Sequence, residues 1–362
     1  MSESPHNDRR QRDAALALSP ERIAAHLDGL LKPPGSLGRL EALAARLCAI
    51  QQTLRPAARP RRVVLFVANH GVVAQGVSAW PQSVTRQMIA ATRAGKSASA
   101  VLARQTGAQL HVIDVGTDGG SHDHAAQSQA TSLDAEVVCF HQPIRPGTRN
   151  LFVEPALTPD EFAEAYAIGA AHARKAAEDG MPVVAAGEMG IGNTTAASCL
   201  AMLLADVPLQ TAVGRGAGAD DPTLARKRVV VEAAVARARR QFASDATAAI
   251  ASVAGLEIAA MAGFVAAAAD RRLTVVLDGF VATAAAAVAA HHQPGVTASL
   301  IAAHASAEPG HTRLLDHLGL DPFLDWQLRL GEATGALLLL PMLDAACAIV
   351  RDMGALADLP AD

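Results

Sequence analysis

From residue 61 onward the chain alternates short runs of β-branched and other apolar residues with Ala-rich stretches of helical length. The runs are Val63 to Ala68, Leu110 to Val115, Glu136 to Phe140, Pro182 to Ala186 and Leu273 to Leu277, with a sixth at Thr297 to Ala302. Strands alternating with helices are the pattern of βαβ units, which demand a parallel sheet. Polar and Gly residues gather at the downstream ends of these runs: Asn69-His70-Gly71, Asp114-Val115-Gly116, Gly187-Glu188, Asp278-Gly279 and His304 to His311. Open parallel sheets bind ligands outside the carboxyl ends of their strands, so a site is expected among those loops.

The pattern before residue 61 is different. Pro20 to Gln52 reads as helix on either side of a Gly/Pro break at KPPGSLGRLE, Lys32 to Glu41. Helical patterning returns after Pro322. The expected architecture is therefore α/β: a parallel, Rossmann-like sheet flanked by helices in a large domain over 61–321. A smaller helical domain is built from 16–60 plus 322–362, and residues 1–15 form a flexible tail.

At 362 residues one polypeptide can build a complete site. Hydrophobic residues make up 51% and aromatic residues only 3%, an Ala-rich balance that suits helices packed closely on a sheet. The formal charge of -4 supplies no basic field for phosphate backbones, which disfavours nucleic acid as a partner. Cys48, Cys139, Cys199 and Cys347 are scattered without C-x-x-C spacing, and read as small buried hydrophobes in a reducing compartment. The amino terminus carries no apolar signal region. The most apolar stretches, Ile258 to Ala269 and Phe280 to Ala290, are too short to span a bilayer, and the one after Gly335 is interrupted by Pro341 and Asp344. No membrane segment and a cytoplasmic location are expected.

Three segments carry candidate chemistry. AAGEMGIGNTTAAS, Ala185 to Ser198, runs from a strand through a Gly-rich turn into a helix. Gly190 and Gly192 allow close backbone approach, and Asn193, Thr194 and Thr195 can cap the helix and leave its first N–H groups facing a phosphate. No Lys follows the glycines and the third Gly of a dinucleotide fingerprint is missing, so a monophosphate fits better than a nucleoside triphosphate or a dinucleotide. A plain capped turn produces a similar string. VGRGAGADD, Val213 to Asp221, offers Arg215 and Gly216 to an anion, or is a surface loop entering a helix. In LRLGEATGALLLLP, Leu328 to Pro341, desolvation would make Glu332 a proton acceptor near neutral pH; a Glu answering a helix dipole looks the same. Glu188 carries the same two readings. No His/Asp/Glu set has the helical spacing of a metal site.

Taken in order, KPPGSLGRLE, ANHGV with VSAWP, GEMGIGNTT, GRGAG, LDGF, SAEPGH and LGLDPFLDWQLRLGEATGA resemble the landmarks of the nicotinate-nucleotide:dimethylbenzimidazole phosphoribosyltransferase family. The resemblance implies transfer of phosphoribose from nicotinate mononucleotide to 5,6-dimethylbenzimidazole, for the lower ligand of cobalamin, by a homodimer needing no metal or other cofactor. It implies Glu332 as general base and Glu188 as a second carboxylate of the base pocket. It places the backbone of Gly190, Gly192, Asn193 and Thr194, with Gly216, about the phosphate and ribose, and Ser306 with its SAEPGH neighbours facing the nucleotide; Arg215, Asp278, Trp80 and Gln87 are further candidate substrate contacts. Asn69, Trp80, Ala333 and the run GKSASA depart from the expected family pattern. A relative that uses another aromatic base, and a non-catalytic nucleotide-binding regulator, are the alternatives.

Overall fold

The structure, a computed structural model, describes residues 18 to 118 and 137 to 360. The expected tail at 1–15 and the expected strand start at Glu136 lie outside the described residues. Strands β1 (Arg61–Ala68), β2 (Gln109–Gly116), β3 (Val137–His141), β4 (Val183–Met189), β5 (Thr274–Leu277) and β6 (Leu300–Ala302) form one sheet. Its order is β3-β2-β1-β4-β5-β6, and every neighbouring pair is parallel. Successive connections therefore run in opposite directions from β1 and β4. The crevice above that reversal is where this class of sheet takes its ligand.

The longer helices are α1 (Pro20–Asp28), α2 (Arg39–Gln51), α3 (Ser83–Arg93), α4 (Ala98–Thr106), α5 (Pro159–Glu178), α6 (Asn193–Leu204), α7 (Asp221–Phe242), α8 (Leu256–Asp270), α9 (Phe280–His292), α10 (Pro309–Leu318) and α11 (Thr334–Asp352). Every residue of β1 is buried, as a strand covered on both faces requires. Beneath it α8 lies across β1, β2, β4 and β5. Ala at positions such as 259, 260, 262 and 266 brings that helix close to its neighbours, which is how so many Ala residues still make a dry core.

Two strands differ from expectation. β4 continues through Gly187 and Glu188 to Met189, so Glu188 is a strand residue held in register with Phe66 rather than a loop residue. The sixth run becomes a strand only at Leu300, because Pro294, with its fixed φ, starts a tight helical turn that lasts to Ser299.

The described chain divides into two units, at Arg59/Pro60 and at Leu340/Pro341. The expected second boundary was 321/322. Residues 322 to 340 instead group with the sheet, since Leu324 bridges to His304 in parallel fashion and the Ala307 N–H donates to the Leu328 carbonyl at 2.9 Å. In the small unit KPPGSLGRLE closes on itself: Lys32 meets the Glu41 carboxylate at 2.8 Å, and Glu41 Oε1 accepts the Leu37 N–H at 2.8 Å.

Pro341 and Asp344 do not interrupt α11, which has the length and apolar content of a membrane span. More than half of that window is buried inside the protein, as in any long core helix. Cys139 is the exception to the buried cysteines: it is exposed on the edge strand β3.

Candidate active site

The loop ahead of α11 has an unusual backbone. Gly331, Glu332 and Ala333 are consecutive residues in the left-handed region, with φ of 80°, 57° and 59°. A glycine adopts this freely, but each of the two residues with a Cβ resists it by about 1–2 kcal/mol. Such strain persists only where the surroundings hold it. Here Asp278, just past β5, does the holding: its Oδ1 accepts the N–H groups of Gly335 at 2.7 Å and Ala336 at 3.1 Å, the first turn of α11. Asp278 was expected to touch substrate. Its Oδ1 is engaged in holding the first turn of the helix that follows Glu332.

That clamp leaves Glu332 5% exposed. Burial raises its carboxyl to about 7; the Ser99 hydroxyl, 3.5 Å from Oε2, pulls it back down, and the Asp278 charge adds to the rise. Ser99 in turn shares a 2.9 Å hydrogen bond with Ser97. The result is a carboxylate that takes and releases a proton near neutrality, as a general base requires.

Glu188 lies next to the same loop, since a Cβ added at Gly331 would collide with its Oε1. Burial holds its carboxyl well above the usual range, helped by the charges of Asp278, Glu257 and Glu332, while a hydrogen bond from Asn193 opposes the rise. The Asn193 amide donates to Glu188 Oε2 and so does not cap α6.

The turn itself is built as the sequence implies, with a different division of labour. Gly192, at φ 98°, is the N-cap residue of α6, and no side chain caps the helix. Thr194 Oγ1 instead accepts from Lys227 Nζ at 2.8 Å, and the same ammonium donates to the Gly214 carbonyl at 3.1 Å. Burial pushes the Lys227 ammonium down to about 8, with the Glu308 carboxylate holding it up. A helix amino terminus with a buried cation beside it attracts anions.

Arg215 does not join it. Its guanidinium turns back to the Ala219 carbonyl and the Asp221 carboxylate, half exposed, which is the surface-loop reading of that segment. Gly216 does join: an added Cβ there would stand 3.0 Å from Thr194 Oγ1 and 3.8 Å from Lys227 Nζ. Trp80 is exposed at the rim, its indole N–H donating to the Ala217 carbonyl at 3.1 Å. Gln87 is exposed on α3. Ser306 is half-buried, and its N–H donates to His311 Nδ1 at 3.0 Å. His311 Nε2 therefore carries the ring proton and donates to Thr283 Oγ1 at 2.9 Å; burial pushes this imidazole down to about 3, so it stays neutral.

Two buried charged residues of this region, Lys227 and Glu257, were not singled out from the sequence, whereas Glu308 was among the SAEPGH residues expected to face the nucleotide. Lys227 sits between Arg226 and Arg228 in a helix that reads as amphipathic and charged. Glu308 lies inside SAEPGH, and its Oε1 accepts the Gly216 N–H at 2.7 Å. Glu257 follows Gly255-Leu256 at the head of the apolar helix α8, and its Oε1 lies 2.7 Å from His70 Nε2 with both side chains fully buried. A lone acid in an apolar helix was the available signal for Glu257. Among the described residues no group of three or more His, Cys, Asp or Glu side chains is placed to hold a metal ion.

Known proteins resemble the chain over nearly its whole length. A phosphoribosyltransferase family model matches residues 15–359. A nicotinate-nucleotide–dimethylbenzimidazole phosphoribosyltransferase of Ralstonia nicotianae is 44% identical over 353 residues, 97% of this chain and 95% of that one. One of the same name from Chloroflexus aurantiacus is 42% identical over 331 residues, 91% of each chain. The crystal structure of CobT from Thermus thermophilus superposes with a TM-score of 0.87 at 40% identity, covering 94% of this chain and 97% of that one. With its six-stranded parallel sheet and near-full-length matches, the chain belongs to the nicotinate-nucleotide:dimethylbenzimidazole phosphoribosyltransferase family.

Proposed function

We propose that the protein transfers phosphoribose from nicotinate mononucleotide to 5,6-dimethylbenzimidazole, giving α-ribazole 5′-phosphate and nicotinate, and that Glu332 is its general base. The observation that carries the assignment is the placement of a carboxyl at about 7, on a strained and clamped loop, in the same sheet-end region as a helix amino terminus with a buried Lys.

The donor phosphate lies at the Gly190 to Thr194 turn, against Lys227 and the first turn of α6. One imidazole nitrogen of the acceptor forms a bond to C1′ as the bond from C1′ to the pyridinium nitrogen breaks. The electron pair of that bond leaves with nicotinate and neutralises its ring. The proton on the acceptor's other nitrogen passes to Glu332, so no cation accumulates on the product. Attack opposite the leaving group converts a β nucleotide into an α one. The pyridinium is already an activated leaving group, so the protein supplies positioning and proton removal. Glu188, packed under Gly331, orients the loop that carries Glu332. The working form is a homodimer in the cytoplasm.

The test is to incubate the protein with nicotinate mononucleotide and a panel of benzimidazoles, purines and phenols, and to identify products by mass and anomeric configuration. The α-nucleotide of dimethylbenzimidazole is the expected product. Turnover of another aromatic with every benzimidazole refused, or binding without turnover, would defeat the assignment.

A further inference from the structure

One buried carboxylate of the nucleotide region has no task in the reaction as described. Glu308 is the N-cap residue of α10, yet its side chain makes no capping hydrogen bond. It reaches instead to Gly216, whose N–H donates to Oε1 at 2.7 Å. The second oxygen, Oε2, has no hydrogen-bond partner among the described residues, in a residue only 7% exposed. Oε2 packs against Gly214, where an added Cβ would collide with it. A buried carboxylate oxygen without a donor destabilises the fold, so its retention points to a donor that arrives with a ligand.

The neighbours define that donor. On the other side of Gly216 lie Thr194 Oγ1 and Lys227 Nζ, the anion-attracting end of the site. A carboxylate this near repels a phosphate and attracts an O–H or N–H. A 5′-phosphoribosyl group presents both kinds of surface side by side: an anionic phosphate, and 2′ and 3′ hydroxyls that can each donate. Gly216 links the two halves, since its N–H fixes the plane of the Glu308 carboxylate while its α-carbon lies over Thr194.

We propose that Glu308 recognises the sugar, with Oε2 accepting a hydrogen bond from a ribose hydroxyl of the donor nucleotide while Oε1 stays on the Gly216 N–H. The proposal rests on the phosphoribosyl-transfer reading and extends it to a specificity: ribonucleotides are accepted and the corresponding deoxyribonucleotides are discriminated against.

The experiment compares nicotinate mononucleotide with its 2′-deoxy and 3′-deoxy analogues, by kcat/KM at saturating dimethylbenzimidazole and by calorimetric binding, for wild type and Glu308→Gln. In wild type at least one analogue should lose about ten- to a hundredfold, the range of a hydrogen bond to a charged group. In Glu308→Gln the natural donor should weaken by a similar factor, and the gap between it and that analogue should shrink to about threefold or less. Wild type handling both analogues within about threefold of the natural donor overturns the proposal, whatever the variant does. So does a variant that weakens the natural donor but keeps the full wild-type gap, which would make Glu308 a counter-charge to the pyridinium or a structural acid. Wild type yielding no α-ribazole phosphate would reject the parent reading instead, and the binding comparison would still decide the role of Glu308.

Discussion

The α-carbon of Gly331 rests on Glu188 so closely that a single added methyl group there would overlap Glu188 Oε1. The loop that presents the proton acceptor is thus seated on the second carboxylate, and the two cannot move independently. Gly331→Ala combines that overlap with a backbone at φ 80°, which a residue with a Cβ resists. We expect kcat to fall by at least about tenfold through displacement of Glu332, with KM for nicotinate mononucleotide much less affected. Steady-state kinetics in both substrates would show it, and equal damage to both parameters would mean that the nucleotide turn had shifted as well.

Replacing Glu332 with Gln keeps size and polarity and removes the proton acceptor. Turnover should drop about 10² to 10⁴-fold while both substrates still bind. Adding Glu188→Gln should cost more than the single change and less than the sum, because residues that act together are not additive. Single-turnover kinetics with separate binding measurements decide this, and near-normal turnover at 332 would reduce Glu332 to a structural helix-end acid.

Two groups bracket the working pH. Glu332 must be ionised, which favours pH above about 7, and Lys227 must be charged to attract the phosphate, which favours pH below about 8. The profile of kcat/KM should therefore be bell-shaped, with a narrow optimum between those values. Bound phosphate holds the proton on Lys227, so the profile of kcat keeps the acid limb and loses the alkaline one. In Lys227→Met the alkaline limb of kcat/KM should vanish and KM for the nucleotide should rise.

The raised carboxyl also has a stability signature. Folded Glu332 titrates at about 7 against an ordinary 4.5, so across that interval the folded protein keeps a proton that the unfolded chain has lost. Its contribution to stability accordingly falls as pH rises from 4.5 through 7, then levels off. Relative to wild type, Glu332→Gln should gain up to about 3 kcal/mol at pH 8 and nearly nothing at pH 4. Urea midpoints at the two pH values measure it; a gain independent of pH would mean that the variant acts through packing.

The sheet was legible because buried parallel strands leave apolar runs such as Val63 to Ala68, and because Gly and polar residues mark where they end. Glu332 was legible for a similar reason, being a lone acid between a glycine and an apolar helix. The tasks of Asp278 and Arg215 were not. Both follow the right elements, but whether a side chain faces the crevice or turns back onto its own backbone depends on contacts with residues far along the chain, such as Gly335 for Asp278. Lys227 was hidden because burial of one cation among three consecutive basic residues is decided by tertiary packing alone. The left-handed conformation of Ala333 leaves no trace in composition either, since alanine is an ordinary helix former.

The close packing around Glu332 also sets how this pocket can be altered. Cβ atoms added at Gly187, Gly331 or Gly335 would meet Ala333, Glu188 and His304 respectively, so those positions admit no larger residue without rebuilding the loop. Ser99 is different: it reaches Glu332 from α4 through a side chain, on an ordinary helical backbone. Libraries meant to retune the protein for a different aromatic acceptor would therefore find their viable members on the α4 side of the pocket, and very few along the loop that holds the base.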